Sequence, residues 1–302
     1  MAAGEGAGTV SAEGGAEAGS ELGRRLAVAG VGIPVCAAVV WFGGWLFVAG
    51  IAVLAAVGAG ELVGMLRTAD RPVLPVPTVA AAAALPVAVA ALGTGAAWTA
   101  AAVVAPAAAA WALVRHPPEA GPATAAALAT FAVLYVGGLL AFAVPLRTTH
   151  EPGRIAGSLV FFLPVVVTWI VDSAAYFGGR RWGRRPLAPT VSPNKTVAGA
   201  VAALAAGPAA AVAYTLVLLP LAGGPGGALP GLGPGPAAAL GLLLAAAAVG
   251  GDLAESAAKR ECGVKDASRL LPGHGGLLDR MDSLLWTIPV AHLFLAWTGA
   301  AG

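Results

Sequence analysis

Residues 236–282 read PAAALGLLLAAAAVGGDLAESAAKRECGVKDASRLLPGHGGLLDRMD, an apolar run that passes into a stretch rich in both charge signs. The apolar part, 236–257, is long enough to cross a bilayer, which takes about 20 residues. Charged side chains are costly near lipid, so the dense charge that follows indicates a functional site. Basic side chains can hold phosphates, and paired aspartates can hold a divalent cation. The stretch therefore predicts phosphate chemistry at a membrane surface.

The whole chain has the composition of an integral membrane protein. Its 302 residues are 58% hydrophobic and 11% charged, whereas a soluble domain carries about 25% charged residues. The net charge of +2 gives no support for nucleic-acid binding, so no nucleic-acid partner is expected. Cys36 and Cys262 are too isolated to indicate a disulfide framework or a zinc site.

Nine apolar stretches predict membrane-spanning helices and hence an all-α polytopic membrane protein. They lie near 26–42, 44–64, 74–93, 96–114, 123–146, 157–179, 197–221, 236–257 and 279–299. Residues 1–23 have no apolar stripe and predict a disordered cytoplasmic tail. The chain then divides into an N-terminal membrane region of about five spans, 24–156, and a catalytic membrane region, 157–302.

The basic residues favour one orientation of these spans. With a cytoplasmic N-terminus and nine spans, 15 of the 17 Lys and Arg residues fall inside, and only Arg147 and Arg154 fall outside. Such an excess of positive charge is typical of cytoplasmic loops. The same orientation brings the charged loops 180–196 and 258–278 to the cytoplasmic face. The Ala-rich composition and the excess of Arg over Lys, 14 to 3, indicate a bacterial chain and therefore a bacterial inner membrane.

Four polar residues of the eighth span share one helical face. Asp252, Glu255, Ser256 and Lys259 stand at i, i+3, i+4 and i+7. Three charged groups so close to lipid need a wet pocket or mutual pairing. We expect this face to belong to a catalytic site; the alternative is an internal ion pair between Glu255 and Lys259 that ends the helix at the interface.

Two aspartates open the ninth span. Asp279 and Asp282 are one helical turn apart, so both carboxylates can point the same way, and they repel each other unless a cation lies nearby. Magnesium prefers a few carboxylates together with phosphate oxygens and water. The pair therefore predicts a metal site, although helix capping would explain Asp279 alone.

Several other residues are candidate phosphate ligands. Glycines in the loop around His274 would let backbone approach a phosphate closely. Asp172 and Tyr176 lie at i, i+4 near the end of the sixth span, where Asp172 should face a cavity or a partner. A turn with one lysine and two hydroxyl groups opens the seventh span, a natural place for a phosphate. The residues concerned are Ser192, Lys195, Thr196, His274, Gly275 and Gly276.

The charged stretch resembles the signature of the phosphatidate cytidylyltransferase family, also called CDP-diacylglycerol synthases. The matching elements are Ser256-x-x-Lys259-Arg260, Lys265-Asp266, Pro272-x-His274-Gly275-Gly276 and Asp279-Arg280-x-Asp282. Two further segments, Asp172-x-x-Ala175-Tyr176 and Ser192-Pro193-x-Lys195-Thr196, are similar to a second region of that family. The resemblance covers residues 157–299. Ala198 departs from it, because the family usually has a glutamate at this position, directly before the glycine that is Gly199 here.

The resemblance implies that CTP and phosphatidate react to give CDP-diacylglycerol and pyrophosphate in phospholipid biosynthesis. It implies one or two Mg²⁺ ions on Asp252, Asp279 and Asp282, with Glu255 or Ser256 nearby. The triphosphate or the leaving pyrophosphate would be held by Lys259, Arg260 and Lys265, and the lipid phosphate by Lys195 and Arg280. His274 would then donate a hydrogen bond to phosphate rather than act as a base. A homodimer is a further expectation from the family.

Two other classes of protein are compatible with the composition. A CTP-dependent lipid kinase of the polyprenol or phytol type is also multispan and basic at one face, and it differs in transferring the γ-phosphoryl group. A transporter could line its path with the same charges, but the first five spans carry almost no intramembrane charge and the cluster is one-sided.

Overall fold

A computed structural model describes residues 30–115, 117–148, 154–220, 229, 232–271, 273 and 275–299. These residues are predominantly helical, which confirms the prediction of an all-α membrane protein. The predicted tail over 1–23 and the first residues of the first predicted span lie outside the described residues.

Nine helices form the described part of the chain. They are α1 Gly30–Phe42, α2 Gly44–Thr68, α3 Pro75–Leu92, α4 Gly95–Arg115, α5 Pro122–Thr148, α6 Arg154–Trp182, α7 Val197–Leu218, α8 Pro234–Glu261 and α9 Leu278–Thr298. Two of them contain π-helical segments, Val133–Gly138 in α5 and Tyr214–Leu218 in α7. A short 3-10 helix, Pro118–Ala120, precedes α5.

The helix boundaries follow from local chemistry. Pro75, Pro122 and Pro234 open α3, α5 and α8, where a missing N–H costs no helical hydrogen bond. Gly43 separates α1 from α2 with a φ of 63°, a left-handed conformation that glycine adopts without strain. The first two predicted spans are therefore joined by a single residue, as a tight helical hairpin requires.

Seven of these helices, α2 to α8, are long and apolar enough to cross a membrane. Helix α1 is apolar but shorter, and α9 begins with three charged residues, Asp279, Arg280 and Asp282, and does not meet the same criterion. The count of about nine spans and the cytoplasmic N-terminus therefore stay predictions.

Two groups of helices pack together through α9. Helix α7 lies between α6 and α8, and α8 packs along α9, while α2, α3, α4 and α5 form the other group. Helix α9 contacts α6 and α8 on one side and α2 and α5 on the other. Close packing of α7 on α8 depends on Gly207 and Gly241, since a Cβ on either residue would overlap the backbone of the other. The N-terminal helices are thus brought against the start of α9.

A small β-hairpin links α6 to α7. Strands β1 (Pro186–Ala188) and β2 (Ser192–Thr196) are antiparallel, with Pro186 opposite Thr196 and Ala188 opposite Ser192. The sequence predicted a turn here, and the extension into a hairpin is a correction to that prediction. Thr196 ends β2 and caps α7, because its Oγ1 accepts the N–H of Gly199 at 3.1 Å.

Candidate active site

The predicted site residues gather at one end of the bundle. A cavity of about 520 Å³ opens there between α6, the hairpin, α7 and α8. Its lining includes the predicted residues Asp172, Tyr176, Ser192, Lys195, Thr196 and Asp252. Residues that are up to 80 positions apart in the sequence therefore share one concave surface.

An ion pair crosses the floor of this cavity. Lys195 Nζ, carried by β2, lies 2.5 Å from Asp252 Oδ1 on α8. The Asp252 side chain is 37% exposed, so an entering cation can reach it, whereas Lys195 Nζ itself is buried beneath the pair. The pair places a positive group, which could bind a phosphate, next to a negative group, which could bind a metal ion.

The mouth of the cavity is polar and exposed. Tyr176 on α6 accepts a hydrogen bond from Arg180 Nη1 at 3.3 Å, and both side chains face solvent. Asp172 lies one turn before Tyr176 on the same helix. The predicted placement of Asp172 beside a cavity agrees with this geometry.

A buried ionic group lies next to the cavity. Lys259 Nζ is 3.2 Å from Glu255 Oε1 and 2.5 Å from Asp279 Oδ1, so one ammonium joins α8 to the start of α9. The Glu255–Lys259 pair that the spacing allowed is present, and Asp279 extends it. Asp279 Oδ2 also accepts the N–H groups of Ala267 and Gly276, each at 2.8 Å. Asp279 thus anchors the loop that leads into its own helix.

Asp282 completes an acidic group between α8 and α9. Its carboxyl lies close to those of Asp252 and Glu255. The side chain of Glu255 is only 1% exposed, and neither of its oxygens accepts a well-directed hydrogen bond. A buried carboxylate without donors needs a cation to offset its charge, and the ammonium of Lys259, 3.2 Å from Glu255 Oε1, supplies one.

The carboxylate oxygens on α8 and α9 could hold a magnesium ion. Oxygen-only ligands from two helices suit Mg²⁺, which usually takes one or two carboxylates plus phosphate oxygens and water. Within the described ranges no group of three or more acidic, His or Cys side chains has the geometry to hold a metal ion by itself. Asp252 and Asp282 are therefore the residues that would hold the ion, with Glu255 behind them. Asp279 is turned toward Lys259, and its predicted role as a ligand is not tested by this arrangement.

The remaining predicted ligands have other contacts or face solvent. Arg260 donates to the carbonyl groups of Val191 at 3.3 Å and Val264 at 3.4 Å, so it ties the end of α8 to the hairpin. Lys265 and Arg280 are exposed, and Ser256 is half-buried. The N–H of Gly276 is donated to Asp279. Gly275 has a φ of 79°, and His274 lies outside the described residues.

Sequence reasoning missed two residues of the N-terminal helices. Glu61 on α2 is 8% exposed and accepts three hydrogen bonds from the loop before α9 and from its first turn. Tyr135, on the π-helical segment of α5, has a buried hydroxyl group beside the Trp286 side chain, without a well-directed hydrogen bond among the described residues. An isolated acid within an apolar span was a signal that could have found Glu61.

Comparison with known proteins shows the family of the chain. Residues 23–298 match the cytidylyltransferase family. A phosphatidate cytidylyltransferase of Brucella suis biovar 1 (strain 1330) is 44% identical over 161 residues, which cover 53% of this chain and 54% of the relative. The phosphatidate cytidylyltransferase of Bacillus subtilis (strain 168) is 37% identical over 169 residues, 55% of this chain and 57% of the relative.

A third relative is the phosphatidate cytidylyltransferase of Thermotoga maritima (strain ATCC 43589 / DSM 3109 / JCM 10099 / NBRC 100826 / MSB8). It is 35% identical over 169 residues, 54% of this chain and 57% of its own. The chain thus spans a little over half the length of these curated relatives. The family match is much longer and includes both the N-terminal helices and the site. The chain belongs to the cytidylyltransferase family.

Proposed function

We propose that the protein is a phosphatidate cytidylyltransferase, a membrane nucleotidyltransferase that makes CDP-diacylglycerol for phospholipid biosynthesis. The observation that carries the proposal is the placement of Lys195, Asp252 and Asp282 beside a cavity of about 520 Å³ at the charged end of apolar helices. The family match and the named relatives support the same reaction.

The reaction requires two anionic partners to meet. A phosphate oxygen of phosphatidate attacks the α-phosphorus of CTP, and the bond from that phosphorus to the β-phosphate oxygen breaks, so that pyrophosphate leaves. A phosphate monoester is already largely ionised at neutral pH and can attack without a strong general base. The work of the site is therefore to position the two phosphates and to stabilise negative charge.

Different residues would bind the metal ion, bind the substrate phosphate and position the other two groups. Asp252 and Asp282 would hold Mg²⁺, which neutralises phosphate charge and aligns an in-line displacement when bound. Lys195 pairs with Asp252 in the structure and would turn to a substrate phosphate once that carboxylate binds a cation. Lys259 fixes Glu255 and Asp279 relative to each other, and so sets the position of Asp282 one turn further along α9.

The location of the site suits one substrate from the bilayer and one from water. The cavity lies where long apolar helices end in a polar loop region, so a lipid phosphate can enter from the side while the nucleotide enters from solvent. We propose a bacterial inner membrane with the site on the cytoplasmic face, in agreement with the distribution of basic residues. A homodimer remains an expectation from the family.

Product analysis tests the proposal. The purified protein is incubated with phosphatidate, CTP and Mg²⁺, and the extracted lipid is analysed by mass spectrometry. We expect CDP-diacylglycerol from the wild type, and no product after chelation of the divalent cation or with Asp282→Asn. A wild type that is folded and binds both substrates but leaves phosphatidate unchanged would contradict the assignment.

A further inference from the structure

We infer that Glu61 is a positioning residue, which holds the loop before α9, through Ser268 and Leu277, and the start of α9 in the geometry that the catalytic site needs. The inference rests on the proposed cytidylyltransferase function, and it extends the site from the charged stretch to helix α2. Glu61 is the single charged residue within the five predicted N-terminal spans.

Three donors from one segment converge on the Glu61 carboxylate. Ser268 Oγ donates to Oε1 at 2.6 Å, the N–H of Leu277 donates to Oε1 at 2.9 Å, and the N–H of Leu278 donates to Oε2 at 2.7 Å. The two amides belong to the N-cap residue of α9, Leu277, and to its first residue, Leu278, whose N–H groups have no partner within the helix. Glu61 therefore caps α9 from a helix more than 200 positions earlier in the chain.

The loop fits tightly around this carboxylate. A Cβ added to Gly276 would lie 2.9 Å from both Glu61 oxygens, so only glycine lets the backbone approach so closely. Glu61 itself is 8% exposed. A buried carboxylate that accepts three hydrogen bonds orders the groups that donate them, because leaving any of them unpaired is costly.

The same loop fixes the ionic group of the site. The N–H groups of Ala267 and Gly276 both bind Asp279, and each of these residues directly precedes one that donates to Glu61. Asp279 in turn binds Lys259, which binds Glu255. The hydrogen bonds of Glu61 go to the loop and to the start of α9, not to Lys195, Asp252 or Asp282, so Glu61 acts through this connected set.

Limited proteolysis tests the placement of the loop without any need for activity. Lys265 and Arg269 are exposed trypsin sites in this loop region, and Arg184 lies in the exposed hairpin connection as an internal reference. In the full-length protein Glu61→Ala is expected to increase cleavage at Lys265 and Arg269 about tenfold, because cleavage follows the population of the opened loop. Cleavage at Arg184 is expected to stay unchanged, and Glu119→Gln, which alters an exposed carboxylate, serves as the matched control.

Kinetics then separates positioning from a merely structural role. Per mole of folded enzyme, Glu61→Ala is expected to lower kcat about 10- to 100-fold, as loss of a supporting contact around a metal site usually does. The KM for CTP is expected to change little, and the Mg²⁺ concentration for half-maximal activity to rise. Glu61→Gln keeps the shape and one acceptor oxygen and should fall between the wild type and the alanine variant.

Each outcome decides the inference. Unchanged cleavage of the loop in Glu61→Ala overturns it, and so does faster cleavage with the kcat and the Mg²⁺ dependence of the wild type. If the wild type itself makes no CDP-diacylglycerol, the proposed function fails, while proteolysis still shows whether Glu61 holds the loop.

Discussion

Replacing Lys259 with methionine removes the one cation that the structure places between Glu255 and Asp279. Methionine has nearly the same length and keeps the packing of the aliphatic stem. The two carboxylate side chains are 1% and 7% exposed, and the lysine is 14% exposed, so water cannot readily take over its role. The variant therefore isolates the contribution of the ion pairs.

The size of the expected destabilisation depends on the hydrogen-bond donors that each carboxylate keeps after the substitution. Asp279 retains the amide donors of Ala267 and Gly276. Glu255 has no well-directed donor and must take up a proton or remain as an unpaired buried charge. Breaking a buried ion pair costs about 3–5 kcal/mol, and because Asp279 stays hydrogen-bonded we expect about 3 kcal/mol. For a chain of this size that corresponds to a loss of about 6–12 °C in Tm.

A double-mutant cycle in detergent or nanodiscs tests this reasoning. Adding Glu255→Gln to Lys259→Met removes the orphaned charge, so the double variant should recover about half of the lost Tm or more, without recovering activity. Lys265→Met, at an exposed lysine, is the matched control and should shift Tm by about 1 °C or less. A Tm for Lys259→Met equal to that of the wild type would refute the account, as would simple additivity of the two substitutions.

Three further predictions concern the site and the packing beneath it. Asp252→Asn and Asp282→Asn should each lower kcat about a hundredfold or more, because the stabilisation of the transition state by the bound metal is lost. Membrane insertion should stay intact. If either variant turns over at nearly the wild-type rate, the substituted aspartate is not a metal ligand. Lys195→Met should lower kcat/KM about 10- to 100-fold through loss of a charge-assisted phosphate contact, with a Tm change below about 3 °C because the Asp252 carboxylate that it leaves behind is partly exposed. An unchanged kcat/KM would exclude a phosphate contact. Gly207→Ala should lower the Tm, because the new Cβ overlaps the backbone of Gly241. The control Gly64→Ala places its Cβ in open space and should leave the Tm unchanged or raise it. Equal effects of the two substitutions on the Tm would contradict the helix packing.

Helical periodicity explains what the sequence could predict of the site. The spacing of Asp252, Glu255 and Lys259 places them on one face of any helix, and the structure joins the last two in an ion pair. Local spacing also placed Asp279 in the first turn of α9, where it binds the loop amides. Such predictions depend on one element alone, and the sequence contains that information directly.

Contacts between distant elements could not be predicted in the same way. The pairing of Lys195 with Asp252 depends on a β-hairpin whose strands are three and five residues long, too short for a clear alternating pattern. The contacts of Glu61 depend on which of many apolar helices lies beside α9, and lipid-facing and protein-facing residues are equally apolar. An isolated acid in an apolar span indicates a function, but its partner is visible only in three dimensions.

Transfer of label from CTP tests the central claim most directly. The purified protein receives phosphatidate, Mg²⁺ and CTP labelled at either the α- or the γ-phosphate, and label is counted in the lipid and in the released pyrophosphate. Cytidylyl transfer predicts α-label in the lipid and γ-label in pyrophosphate, with neither transfer in Asp282→Asn. Entry of γ-label into the lipid would instead identify a CTP-dependent kinase and would contradict the assignment.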